Sequence, residues 1–168
     1  VRFETVKSGA FKDILSRKDL ALKFSIIEAD EVNAFSHVGG YIYFNTGLLE
    51  IISTDAELQF VVGHEIAHLE LGHCEKLLTY AVRAEGLGNE LGGSLGAESA
   101  GTIASLAYRA LSSGYSEDQE LACDAWAYRV MRKSGMPHID CCAMSRKFLK
   151  REDKAETSGN KSGDPIDK

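Results

Sequence analysis

No run within the 168 residues reaches the roughly 18 consecutive apolar residues that a membrane-spanning helix needs. The best window, Thr102 to Leu111 and the glycine-rich stretch before it, is interrupted by Glu98, Arg109 and several serines, and predicts instead a small-residue helix packed closely on its neighbours. Basic residues are in deficit too. The 19 lysines and arginines against 25 acidic residues give a formal net charge of −6, and no basic stripe appears, which excludes a general grip on nucleic acid. The glycines at 86, 88, 92, 93, 96 and 101 spell neither a P-loop nor a dinucleotide turn. The four cysteines, Cys74, Cys123, Cys141 and Cys142, form no C-x-x-C pair, so buried free thiols are expected. Cys123 precedes Asp124 and Cys74 lies one turn past Glu70, so either could also approach a metal. No signal peptide is visible, and a start at Val1 suggests an excised or processed fragment.

What is present centres on five residues, His64-Glu65-Ile66-Ala67-His68. On a helix, residues four apart share one face one turn apart, so both imidazoles can donate a ring nitrogen to a single Zn²⁺ at about 2.0–2.1 Å. Glu65, one position round, can hydrogen-bond a metal-bound water, whose pKa zinc lowers to about 7. Leu58, Val61, Val62, Ile66, Leu69 and Leu77 recur at three- and four-residue steps, and no proline interrupts them. This predicts a helix from about Asp55 to Tyr80, with Gly63 and Gly72 as its weak points and Ser53, Thr54 or Asp55 as N-cap.

A catalytic zinc needs a third protein ligand and an open fourth position. A metzincin would need glycine at 71 and histidine at 74, where the chain has Leu71 and Cys74. Glu65-x-x-His68 and Glu70-x-x-His73 have the spacing of di-iron carboxylate proteins, but those draw the two motifs from different helices. The segment from Tyr115 to Ala127 offers a carboxylate instead. Glu120 and Asp124 share a helical face, so one can bind a metal while the other takes the second ring N–H of a ligand histidine. Glu117 is a poorer ligand candidate because no acidic residue follows it four positions on. Ser116 suits the N-cap of this helix.

The order and spacing of these pieces resemble the HtpX, CAAX prenyl endopeptidase and BepA-like family of gluzincin zinc metallopeptidases. The likeness covers about residues 30 to 138: Asn33-Ala34-Phe35, Gly39-Gly40-Tyr41-Ile42-Tyr43, Thr46-Gly47-Leu48-Leu49, the His64 to His68 motif, and the Glu120 to Asp124 helix. The resemblance implies that His64, His68 and Glu120 bind one Zn²⁺ per chain, that Glu65 is the general base, and that Asp124 supports a ligand from behind. It also implies that Asn33 to Asn45 forms a hairpin whose edge, at Asn33, Ala34 and Phe35, pairs with extended substrate. Relatives carry a His-Pro segment followed by an arginine after the glutamate helix; the sequence to Lys168 has none, and His37 stands where many have an apolar residue.

The expected fold is therefore α+β: a mostly helical zincin-type domain over residues 1–152 with a small antiparallel sheet beside the zinc helix. A helix is expected near Phe11 to Leu20, strands between Leu22 and Phe44, and a flexible tail or truncated loop at 153–168. The expected activity is zinc metalloendopeptidase action on protein or peptide substrates in protein quality control. The resemblance places it in the bacterial periplasm or cell envelope, or at a membrane. The alternative is a peptide-binding, chaperone-like module with a closed or structural zinc site. His73 reads as a surface histidine or as support behind a ligand. His37 and His138 read as loop residues or transition-state hydrogen bonders, and Tyr41, Tyr43 and Tyr115 as packing residues rather than oxyanion donors.

Overall fold

The computed structural model describes residues 21–84 and 114–159. The helix expected near Phe11 to Leu20 and the small-residue helix at Thr102 to Leu111 lie outside these. Three strands, β1 (Lys23–Ile27), β2 (Ala34–His37) and β3 (Tyr41–Asn45), form one sheet in the order β1-β3-β2. β2 and β3 make the expected hairpin, pairing His37 with Tyr41 across a loop in which Gly39 and Gly40 both take φ of +85°, a conformation that glycine adopts without a Cβ penalty.

The sheet is mixed rather than antiparallel. β1 runs parallel to β3 on the opposite side from β2, with Lys23 beside Tyr41 and Ile27 beside Asn45. Turn chemistry specifies the hairpin, but nothing in the strand residues themselves encodes the direction of β1. That direction is set by the return loop of residues 28–33, which is clamped to the end of β3. Ala29 donates its N–H to Thr46 Oγ1 at 3.0 Å and accepts the Thr46 hydroxyl at 2.9 Å and the Gly47 N–H at 2.9 Å. A Cβ at residue 47 would collide with the carbonyl of Asp30, so this close approach requires glycine.

Six helices follow among the described residues: α1 (Thr46–Ile51), α2 (Asp55–Glu70), α3 (His73–Ala84), α4 (Glu117–Lys133), α5 (His138–Cys141) and α6 (Ala143–Gly159). α2 begins with a capping box, in which the Thr54 hydroxyl accepts from the Glu57 N–H while the Glu57 carboxylate accepts from the Thr54 N–H. It is buried nearly all round, with Leu58, Val62, Ile66 and Leu69 against the sheet, α4 and α6. Ser116 caps α4 in the same reciprocal way with Gln119. Cys123, Ala127, Val130 and Met131 form its buried face.

Two expected boundaries change. The helix that begins at Asp55 ends at Glu70 instead of running to Tyr80, because Gly72 takes a φ of +69° and turns the chain into the separate α3. Such a left-handed residue is a common helix stop, and it puts Leu77 on a different helix from the motif. At the other end, α6 continues to Gly159, past residue 153 where a tail was expected. Lys, Arg, Glu and Ala dominate residues 150–156, and strong helix formers sustain a helix even where few apolar residues are available for burial.

Candidate functional site

His64 and His68 project from one face of α2, and α4 crosses that face so that Glu120 and Asp124 meet them. His64 Nε2 lies 3.1 Å from His68 Nε2 and 3.0 Å from Glu120 Oε2, and the second oxygen of Glu120 lies 3.8 Å from His68 Nε2. Four ligands at 2.0–2.1 Å around a tetrahedral metal are separated by about 3.3 Å, so these three donors already have the spacing of one face of such a site. His64 Nδ1 donates to Asp124 Oδ1 at 2.8 Å. That bond fixes the ring so that Nε2 faces His68 and Glu120.

The electrostatics suit a cation. Burial works against a charge on His64, but its hydrogen bonds to Asp124 and Glu120 outweigh it and push the pKa up to about 10. A positive charge is therefore stabilised where the donors converge. His68 is buried, and burial together with the charge on His64 pushes it down to about 3, so its imidazole is neutral. The hydrogen bond from His64 holds the Glu120 carboxyl below the usual carboxylate range.

Glu65, one position round the helix from His64, meets β2 of the sheet at Ser36. It is buried, and burial raises its pKa to about 7 despite the nearby charge of His64 and hydrogen bonds from the backbone and side chain of Ser36. Ser36 sits in the middle of β2 and belongs to a connected set. Its hydroxyl lies 3.7 Å from Cys74 Sγ, its carbonyl accepts from the same thiol at 3.6 Å, and Cys74 in turn lies 3.3 Å from the Tyr115 hydroxyl. Nothing in the sequence singles out Ser36. The signal that could have found it is a small polar residue flanked by Phe35 and His37 in a strand adjoining the motif helix.

The two histidines, Glu120, Asp124 and Glu65 face a cleft of about 980 Å³. Asn33, Ala34 and Phe35 line one wall, Phe148 and Leu149 of α6 another, and His64, Glu65, His68, Glu120 and Asp124 lie along it. Asn33 O accepts from Asn45 N at 3.0 Å, so alternation along the antiparallel pair points the N–H and C=O of Ala34 and Ser36 away from β3. The outward groups of Ser36 are used by Glu65 and Cys74. Those of Ala34 point along the cleft edge.

The remaining sequence candidates fall elsewhere. His73 is not a surface histidine but is buried behind His68. His37 bonds its own neighbour's carbonyl at Val38, and His138 is exposed and paired with Tyr128. Tyr41 and Tyr43 stack on the sheet. None of these five, nor Glu117, lines the cleft. Tyr115 packs its ring on His68 with centroids 3.8 Å apart. All four cysteines are free thiols, as expected, and three are buried.

Comparison with known proteins decides the family. The model of peptidase family M48 matches residues 6–145. The chain belongs to peptidase family M48. It is 30% identical over 142 residues to Metalloprotease LoiP of Escherichia coli (strain K12), covering 82% of this chain and 55% of LoiP. It is 27% identical over 118 residues to Metalloprotease YcaL of the same organism, covering 68% of this chain and 46% of YcaL. A putative beta-barrel assembly-enhancing protease of Vibrio cholerae serotype O1 is 30% identical over 139 residues, covering 77% of this chain and 28% of that protein. The chain thus spans about half the length of LoiP and YcaL.

Proposed function

We propose that this M48 domain is a zinc metalloendopeptidase in which His64, His68 and Glu120 hold the metal and Glu65 is the general base. The observation that carries this reading is the convergence of the two Nε2 atoms and the Glu120 carboxylate within 3.0–3.8 Å of one another, on a cleft shared with Glu65 and the edge of β2. Two imidazoles and a carboxylate are a donor set typical of catalytic zinc. When bound, zinc supplies a Lewis acid for the scissile carbonyl and lowers the pKa of water to about 7.

The chain's own residues do the rest. Asp124 takes the Nδ1–H of His64 and leaves Nε2 as the donor. Ser36 holds the Glu65 carboxylate at the cleft wall, where a pKa near 7 suits a group that takes a proton from the attacking water and returns it to the leaving amine. The outward N–H and C=O of Ala34 receive one residue of an extended substrate as an added strand, flanked by Asn33 and Phe35. The rung at Ser36 is already occupied by Glu65 and Cys74, so pairing along β2 is short and side-chain pockets contribute much of the selectivity.

The peptidase family and the edge of β2 on the cleft support a protein or peptide substrate, and the putative assembly-enhancing protease among the relatives supports a role in quality control at a cell envelope or membrane for the whole protein. No helix among the described residues is long and apolar enough to cross a membrane. The alternative of a closed zinc site in a chaperone-like module is less favoured, because the three donors open onto the cleft. The test is cleavage of an unfolded protein such as casein by the zinc-loaded chain and by Glu65→Gln. Zinc-dependent cutting that disappears in the variant, with metal retained, supports the mechanism; equal cutting by the variant rules out Glu65 as the base.

A further inference from the structure

Each ligand imidazole presents its Nε2 to the cleft, so the opposite nitrogen of each needs a partner. For His64 that partner is Asp124. For His68 it is another imidazole: His68 Nδ1 lies 3.2 Å from His73 Nδ1, and both rings are buried. A neutral His68 that offers the Nε2 lone pair carries its proton on Nδ1. The acceptor facing that proton is the Nδ1 lone pair of His73, whose own proton then resides on Nε2.

Two further contacts define the pocket. Cys123 Sγ lies 3.5 Å from the same His73 Nδ1, packing from α4. The Tyr115 ring lies nearly parallel to the His68 ring at 3.8 Å, with an angle of 23° between planes. Stacking restrains tilt of the His68 plane but leaves rotation within that plane free. The bond to His73 removes that freedom.

The helix break at Gly72 makes this contact possible. On a continuous helix, His73 would stand five residues past His68, about 140° round the axis and unable to face it. The left-handed φ of +69° at Gly72 restarts the chain as α3, and the first residue of α3 returns over the end of α2.

We propose that His73 is a positioning residue for His68, accepting its Nδ1–H so that Nε2 is aimed at Glu120 and His64. The inference rests on the zinc reading above. Its consequence is that the two ligand histidines are supported unequally, one by a carboxylate and one by a neutral imidazole. The acceptor at 73, rather than the bulk there, governs how tightly the metal is held.

Asn and Leu have nearly the same shape, and an Asn amide oxygen can occupy the place of a histidine Nδ1, so His73→Asn and His73→Leu differ mainly in the acceptor. The experiment measures zinc affinity by competition with a chromogenic chelator on the 168-residue chain and both variants, with circular dichroism confirming the fold. A second readout is the visible spectrum after cobalt(II) replacement. We expect His73→Leu to lose about 10- to 100-fold in affinity, the usual cost of removing such a partner, and to show an altered cobalt spectrum, while His73→Asn recovers most of both. Wild-type affinity in His73→Leu, or equal weakening in both variants, overturns the proposal. The group His68, His73 and Cys123 could also hold an ion of its own. Two zinc ions per wild-type chain, with one lost in Cys123→Ala, would therefore replace the positioning role with a second metal site. A folded wild-type chain that takes up no zinc overturns the zinc reading itself, and this inference with it.

Discussion

Replacing Lys147 by methionine removes a tie that anchors the start of the motif helix. Its Nζ lies 2.7 Å from each carboxylate oxygen of Glu57, 2.7 Å from the Ile51 carbonyl and 3.1 Å from Ser53 Oγ. The side chain of Glu57 is 7% exposed and that of Lys147 is 26% exposed. Breaking a fully buried pair by removing one partner costs about 3–5 kcal/mol. Glu57 keeps the Ser53 and Thr54 amides at 2.6 and 3.2 Å, and Lys147 is partly solvated, so the loss falls nearer the value of a hydrogen bond to a charged group, about 1.5–3 kcal/mol. For a chain of this size, at about 2–4 °C per kcal/mol, that lowers Tm by about 3–12 °C.

The effect carries a pH signature. Burial alone would raise the Glu57 pKa, but Lys147 and the two amides overcome it and hold it below the ordinary value of 4.5. A depressed folded pKa gives stabilisation that is complete above the unfolded value and is lost as pH falls through the folded one. Urea denaturation of wild type and Lys147→Met should therefore differ fully at neutral pH and draw together as pH falls from 4.5 through the depressed folded pKa of Glu57. Changes common to both chains, including loss of metal in acid, cancel in the difference. An unchanged midpoint at neutral pH, or a gap that persists undiminished in acid, would refute the reasoning.

Glu65→Gln should keep its zinc and lose about 10²- to 10⁴-fold in kcat on a peptide substrate, measured by fluorescence dequenching. Ala34→Pro should leave the thermal melt near wild type, since an edge strand tolerates proline where its N–H faces outward, yet raise KM by removing the rung offered to substrate; an unchanged KM would exclude pairing at that residue. Gly47→Ala should destabilise the fold by about 1–3 kcal/mol or more, because the Asp30 carbonyl occupies the space of the new methyl group; a neutral melt would show that the clamp on β3 yields easily.

Much of the site is legible in the sequence because it depends on helical spacing. His64 and His68 four apart, and Glu120 and Asp124 four apart, place each pair on one helical face by periodicity alone, and the fold brings those two faces together. The Thr54 and Ser116 caps are readable for the same local reason. The parallel pairing of β1 is not, since it is set by a clamp between Ala29 and Thr46 across 17 residues. Ser36 escapes notice because its importance lies in the approach of β2 to Cys74 of α3, a contact across 38 residues. His73 is the most instructive case. Taken as part of one long helix it faces away from His68, and a single left-handed glycine reverses that.

The most direct test is the zinc content of the purified chain by elemental mass spectrometry, with Glu120→Ala measured beside it. The His64, His68 and Glu120 site predicts about one zinc per chain and a much weakened affinity in the variant. A well-folded chain without zinc, or a Glu120→Ala chain that holds zinc as tightly as the wild type, would contradict it.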